Sequence, residues 1–189
     1  MKAYFTASLK GKEKLIDNYK KIVEQIEIQG YKMLSDHVLK QSTKIVLAKT
    51  HEQVVDFYLK FLKLISSADV AIAEVSYPST NVGHEISIAL SKGKPVIVLY
   101  TKGNEPRFLT ANPVDKLLVY EYDLDSSDSV LKNALKEARD QIDVRFNFFI
   151  SPKIGAYLDW ISKHRKIPRA VFLRRLIEEH MAKNKEYKS

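Results

Sequence analysis

The sequence predicts an α/β protein, with five parallel strands in one sheet, helices on both faces and a small C-terminal strand-helix-helix module. Three observations carry this. Short apolar runs of strand length alternate with longer stretches of helical period, the pattern of a parallel sheet covered on both sides. The run Val70-Ala71-Ile72-Ala73 is apolar at every position, as a strand buried on both faces must be. The charge is uneven: of a net +8, residues 145–189 hold 11 Lys and Arg against 4 Asp and Glu.

Ala3 to Ala7 reads as the first strand. Lys12 to Gln29 reads as an amphipathic helix with Leu15, Ile16, Tyr19, Ile22, Val23 and Ile26 on one face, closed by Gly30. Tyr31 to Val38 is the expected second strand, and Leu39 to Thr50 the expected loop over the site. Thr50 with Gln53 three residues on forms a capping box, opening a helix to about Ser67. Val54, Tyr58, Phe61, Leu62 and Ile65 give that helix one apolar stripe.

Asp69 to Val75 is strand three. A helix starts with Glu85 in its first turn and runs to about Lys92. Pro95 to Tyr100 is strand four, residues 101–115 a loop, and Lys116 to Tyr122 strand five. Ser127 to about Ile142 is a helix turning Val130, Leu131, Ala134, Leu135 and Ala138 inward. The whole is a Rossmann-like (flavodoxin-like) arrangement over residues 1–143.

Residues 144–189 form the second expected domain. Arg145 to Ile150 alternates as a strand with Phe146, Phe148 and Ile150 inward. A helix from Ser151-Pro152 through His164 carries Ile154, Tyr157, Leu158 and Ile161. Lys166-Ile167-Pro168 turns the chain into a last helix, Arg169 to about Lys183. Strand-helix-helix in about 40 residues cannot close a core alone.

At 189 residues the chain holds one to two domains and a sizeable core. It has no cysteine, so disulfides and thiolate chemistry are excluded. Its first residues are too short an apolar run for a signal peptide, and no 18-residue apolar span exists. The expectation is a cytoplasmic protein with no membrane partner. The basic tail points to an anionic partner or to a solvated surface.

The chemistry concentrates in Ala73-Glu74-Val75-Ser76-Tyr77-Pro78-Ser79-Thr80-Asn81-Val82-Gly83-His84-Glu85. A strand-to-helix crossing in an open parallel sheet is where ligands bind. The positive end of the helix dipole would hold a first-turn Glu85 ionised. Ser79 and Asn81 are placed to cap the helix or to help hold an anion at its amides.

With Tyr4-Phe5-Thr6-Ala7-Ser8-Leu9-Lys10-Gly11, and with Gly93-Lys94-Pro95-Val96 downstream, this stretch resembles the nucleoside 2-deoxyribosyltransferase family. Within that family it is most similar to the 2′-deoxynucleoside 5′-phosphate N-hydrolases, over roughly residues 1–143. The resemblance implies an N-glycosidase or deoxyribosyltransferase acting on 2′-deoxynucleoside 5′-monophosphates, with no metal and no cofactor. Glu85 would be its nucleophile and Tyr4 the hydroxyl orienting it. Ser8, Lys10, Ser79 and Gly83 would lie at the substrate, the first three around its 5′-phosphate. His37 would stand beside the sugar-phosphate, and Thr110 would reach the phosphate of a neighbouring subunit, so a homodimer or higher homo-oligomer is implied. The family's second acidic residue falls on Phe61. Asp56, about 140° away around the helix, does not replace it.

The tail resembles a ribbon-helix-helix module. That resemblance implies two chains pairing strands, and DNA contacts from Arg145, Asn147 and Arg169. Pro168 stands where a capping Ser or Thr is usual. A second reading follows from the tail and Phe61: a nucleotide-sensing DNA-binding regulator with weakened catalysis.

Overall fold

A computed structural model of the chain describes residues 1–42, 45, 48–142 and 148–184. Its contacts divide into two compact units, Met1–Asp143 and Val144–Ser189.

The first unit is an α/β layer structure. Strands β1 (Lys2–Ala7), β2 (Lys32–Met33), β3 (Val70–Glu74), β4 (Val96–Thr101) and β5 (Leu117–Tyr122) form one sheet in the order β2-β1-β3-β4-β5. Every pairing is parallel, with Tyr4 opposite Ala71 and Ala73 opposite Val98. The helices are α1 (Lys12–Ile28), α2 (His37–Lys40), α3 (His51–Ser67), α4 (Thr80–Ser91), α5 (Arg107–Thr110) and α6 (Ser127–Asp140).

Strand side chains alternate in direction, and this sorts the core into two layers. Phe5, Val70, Ile72, Ile97 and Leu99 meet Tyr19, Ile22 and Ile26 of α1 and Leu131, Leu135 and Ala138 of α6. Tyr4, Ala71, Ala73, Val96 and Val98 meet Phe61 and Ile65 of α3 and Val82, Ile86 and Ala89 of α4. The strand order reverses at β1, whose neighbours are β2 and β3. A crevice therefore opens beyond the carboxyl ends of β1 and β3.

Several local signals act as read. Thr50 Oγ1 accepts from Gln53 N at 3.3 Å while Gln53 Oε1 accepts from Thr50 N at 3.0 Å, closing the capping box. Gly30 takes φ +80, a left-handed angle that ends α1.

Other expectations need correction. The second strand is confined to Lys32–Met33, because the sheet edge offers it only Lys2 and Ala3 as partners. The chain then turns at Ser35-Asp36 into α2. The helix carrying Glu85 begins at Thr80, so Glu85 lies in its second turn; Ser79 caps it, and Asn81 is inside. The stripe on α3 is buried only at Phe61 and Ile65, whereas Val54 and Tyr58 remain 46% and 40% exposed. A short helix, α5, interrupts the loop of residues 101–115.

The second unit contains α7 (Pro152–Arg165) and α8 (Arg169–Lys183). Ser151 Oγ accepts from Ile154 N and Pro152 follows, which fixes the start of α7. Lys166 ends it with a left-handed φ of +57. Leu158 and Ile161 are buried, whereas Ile154 and Tyr157 are exposed. The expected strand of Arg145 to Ile150 lies partly outside the described residues. Its described part, Phe148–Ile150, is not in a strand, and Phe148 and Ile150 are exposed. Among the described residues no helix is long and apolar enough to cross a membrane.

Candidate active site

β1 and β3 end side by side, and the segments that follow them wall the crevice. A cavity of about 400 Å³ is lined by Thr6, Ser8, Lys10, His37, Gln41, Lys49, Val54, Phe57, Pro78, Ser79, Thr80, Asn81 and Glu85, among others. A second, of about 240 Å³, is lined by Tyr4, Leu34, Ser35, Asp36, His37, Lys40, Gln41, Phe57, Lys60, Phe61 and Leu64. His37, Gln41 and Phe57 border both.

Glu85 and Tyr4, 81 positions apart in sequence, meet in this region: the Tyr4 hydroxyl donates to Glu85 Oε2 at 3.0 Å. Tyr4 is 1% exposed, so little water competes for that bond. Thr6, two residues along the same strand and hence on the same face, also hydrogen-bonds the carboxylate. Burial raises the Glu85 pKa above the ordinary carboxylate value; the bonds from Thr6 and Tyr4, then the nearby His84, pull the other way. Desolvation and the two hydroxyls thus act on the Glu85 charge in opposite directions. Burial, followed by the Glu85 charge and hydrogen bond, pushes the Tyr4 hydroxyl far above its ordinary pKa, so it stays a donor.

Ser79 ends the β3–α4 connection. Its hydroxyl accepts from Val82 N at 3.4 Å. Thr80 and Asn81, the first residues of α4, face the larger cavity beside it, so the positive end of a twelve-residue helix borders that cavity. Ser8 is buried and Lys10 exposed, and both line the same space. A Cβ on Gly83 would meet nothing within 4 Å, but Gly83 is not among the lining residues.

His37 opens α2. Ser35 Oγ lies 2.5 Å from His37 Nδ1, and its ring stacks on Tyr4 at 5.9 Å. Burial pushes its pKa down to about 4, with Lys49 adding to the shift and Asp36 opposing it, so the ring is neutral at pH 7. Lys49 sits over the Phe57 ring at 4.4 Å. Phe61 packs against Tyr4 at 5.7 Å, while Asp56 is exposed and lines neither cavity.

The structure thus brings Tyr4, Ser8, Lys10, His37, Ser79 and Glu85 to one region. Thr110 is exposed on α5, its hydroxyl bonded to Pro106 O at 3.3 Å, and lines neither cavity. Arg145 and Asn147 lie outside the described residues. Arg169, the first residue of α8, is ion-paired with Asp159. Sequence reading missed Thr6, Gln41, Lys49 and Phe57. The signal for Thr6 was present, since period two puts it beside Tyr4.

No family model matches the chain. Relatives do. It is 38% identical over 99 residues to a Thermofilum pendens protein named as a candidate 2′-deoxynucleoside 5′-phosphate N-hydrolase 1, covering 52% of this chain and 67% of that one. A protein of the same name from Syntrophotalea carbinolica is 30% identical over 151 residues, covering 72% of this chain and 96% of the relative. The 5-hydroxymethyl-dUMP N-hydrolase of Rattus norvegicus is 30% identical over 97 residues, covering 51% and 59%. Among solved structures, a Clostridium botulinum CMP N-glycosidase aligns over 70% of this chain and 96% of its own, at 17% identity and a TM-score of 0.47.

Proposed function

Because the chain belongs to the 2′-deoxynucleoside 5′-phosphate N-hydrolase family, we propose that it cleaves the N-glycosidic bond of 2′-deoxynucleoside 5′-monophosphates with Glu85 as nucleophile. The observation that carries this reading is the half-buried Glu85 carboxylate, held by Tyr4 and Thr6 in a cavity that Ser8, Lys10 and Ser79 also line.

The phosphate lies at the amino end of α4, against Ser79, Ser8 and Lys10. Backbone N–H groups and a cation suit a dianion there. The sugar then extends toward Glu85. Its carboxylate attacks C1′: a C1′–O bond forms, the C1′–N bond breaks, and the electron pair leaves with the base, which takes up a proton. Water then attacks C1′ and gives up a proton, releasing 2-deoxyribose 5-phosphate and restoring the carboxylate. Tyr4 and Thr6 keep Glu85 ionised and aimed. His37, neutral at pH 7, borders the sugar without adding charge. The base sits between the aromatic rings of the smaller cavity, Tyr4, Phe57 and Phe61.

We place Thr110 at the phosphate of a neighbouring copy in a homodimer or larger homo-oligomer; its exposure on α5 leaves it accessible for that role. The regulator reading gains no support from the relatives named above, and Arg169, paired with Asp159, is engaged within its own unit.

Base release tests the reading. The purified protein and its Glu85→Ala variant are incubated with a panel of deoxy- and ribonucleoside 5′-monophosphates, and free base is separated by chromatography. Free base from the wild type alone is expected. No base from any member of the panel would sink the hydrolase reading.

A further inference from the structure

Glu74 closes β3 and is fully buried, yet the chemistry above does not use it. By strand alternation it shares the face of Val70 and Ile72, opposite to the face of Tyr4 and Ala73. A buried carboxylate is costly, and an apolar side chain would fill the same space at less cost. Its contacts suggest why it is there.

Glu74 Oε1 accepts from Ser76 N at 3.2 Å, from the Ser76 hydroxyl, and from the Tyr122 hydroxyl at 3.3 Å. Ser76 Oγ in turn accepts from Thr101 N at 2.8 Å and from Thr101 Oγ1 at 3.0 Å. The Tyr19 hydroxyl donates to Ser8 O at 3.1 Å, while Glu74 Oε2 is buried with no hydrogen-bond partner among the described residues. A Cβ on Gly11 would lie 2.5 Å from Tyr77 Cβ and 3.1 Å from the Tyr19 hydroxyl, so the two loops touch. The carboxylate therefore anchors the loop after β3, which leads in three residues from Ser76 to Ser79, and that loop touches the loop after β1, which carries Ser8.

We propose that Glu74 is a positioning residue for phosphate binding, acting through Ser76 to fix Ser79 and, across the contact of Gly11 with Tyr77, its distance from Ser8. This rests on the phosphate site proposed above. Glu74 contacts no substrate atom. It sets the spacing of two loops across the crevice, which is the dimension a phosphate must fit.

The test uses the full chain and two ligands, inorganic phosphate and a deoxynucleoside 5′-monophosphate that the wild type cleaves. Phosphate affinity is measured by calorimetry for wild type, Glu74→Gln, Ser76→Ala, Ser79→Ala and the double variant Ser76→Ala with Ser79→Ala. Loss of a hydrogen bond to a charged group predicts a Kd for phosphate weaker by about tenfold in Glu74→Gln and in Ser76→Ala. The KM for the monophosphate should rise in parallel, with kcat within about threefold of wild type. In the Ser79→Ala background, Ser76→Ala should add less than about twofold, because the two act along one path.

A general loss of structure would lower kcat and would persist in the Ser79→Ala background. Unchanged phosphate affinity in Ser76→Ala, or full additivity with Ser79→Ala, overturns the proposal. Ser76→Ala removes only a hydroxyl and carries the test if Glu74→Gln does not fold. A wild type that binds no phosphate overturns the phosphate site itself. A wild type that binds phosphate as tightly as its variants do overturns only the role of Glu74.

Discussion

Tyr4→Phe removes one hydrogen bond and nothing else that the site uses. The phenyl ring keeps its contacts with Phe61 at 5.7 Å and His37 at 5.9 Å, and the side chain is 1% exposed, so water does not replace the lost donor. The bond runs at 3.0 Å to a carboxylate that must be ionised to attack. A hydrogen bond to a charged group is worth about 1.5–3 kcal/mol, which is about 10- to 150-fold in the fraction of ionised Glu85 on the acid side of its titration. Tyr4 lowers the Glu85 pKa against a burial effect that raises it, so its removal moves the acid limb of kcat/KM to higher pH. The assay is base release from the best monophosphate, followed from acid to alkaline pH for wild type and variant. On the acid side the variant should fall by that factor, and on the alkaline plateau by less. A loss of stability, read from thermal unfolding, no larger than that one hydrogen bond, about 1.5–3 kcal/mol, is the structural control. Superimposable pH profiles would refute the reasoning.

Thr6→Val removes the second donor and should move the same limb in the same direction, as read in the same pH series. The folded-state pKa of Glu85 lies above its unfolded value, so the native state binds more protons in between and stability falls as pH rises through that window. Glu85→Gln should therefore unfold at higher denaturant than wild type at about pH 8, with the gap closing toward about pH 4, while base release is lost. His37 has the opposite sign: its pKa is lowered from 6.5 to about 4, so wild type loses stability as pH falls through that interval. His37→Gln should abolish that part of the slope, and nitrogen NMR of the wild type should show a neutral ring at about pH 6. Gly11→Ala would put a Cβ 2.5 Å from Tyr77 Cβ and 2.8 Å from Cγ, so it should destabilise by about 1–3 kcal/mol and raise KM for the monophosphate, both measurable on one preparation.

The sheet was legible because β1, β3, β4 and β5 are short apolar runs and each long helix shows its period, whereas β2, Lys32–Met33, carries no such run. The Thr50 cap was legible because capping joins groups three residues apart. The start of α4 was not. Thr80, Asn81 and Gly83 are poor helix formers, and the Ser79 cap with the packing of Val82 and Ile86 against the sheet holds them in a helix. Period also shows which face of α3 is apolar without showing what covers it, so Val54 and Tyr58 read as core and are exposed. Tyr4 and Glu85 were legible as site residues through motif resemblance alone, because they meet only once β1 pairs with β3, the strand that leads into α4. Glu74 was visible as a charge in an apolar strand. Its partner Tyr122 lies far off in sequence, and no local pattern connects the two.

The central claim is that Glu85 bonds to C1′. Wild-type protein mixed with a cleaved monophosphate, acid-quenched within one turnover and digested, gives peptides whose masses locate any adduct. The account predicts a deoxyribosyl phosphate ester on the peptide containing Glu85, absent from Glu85→Ala. An ester on another residue, or base release at the wild-type rate by Glu85→Ala, would contradict it.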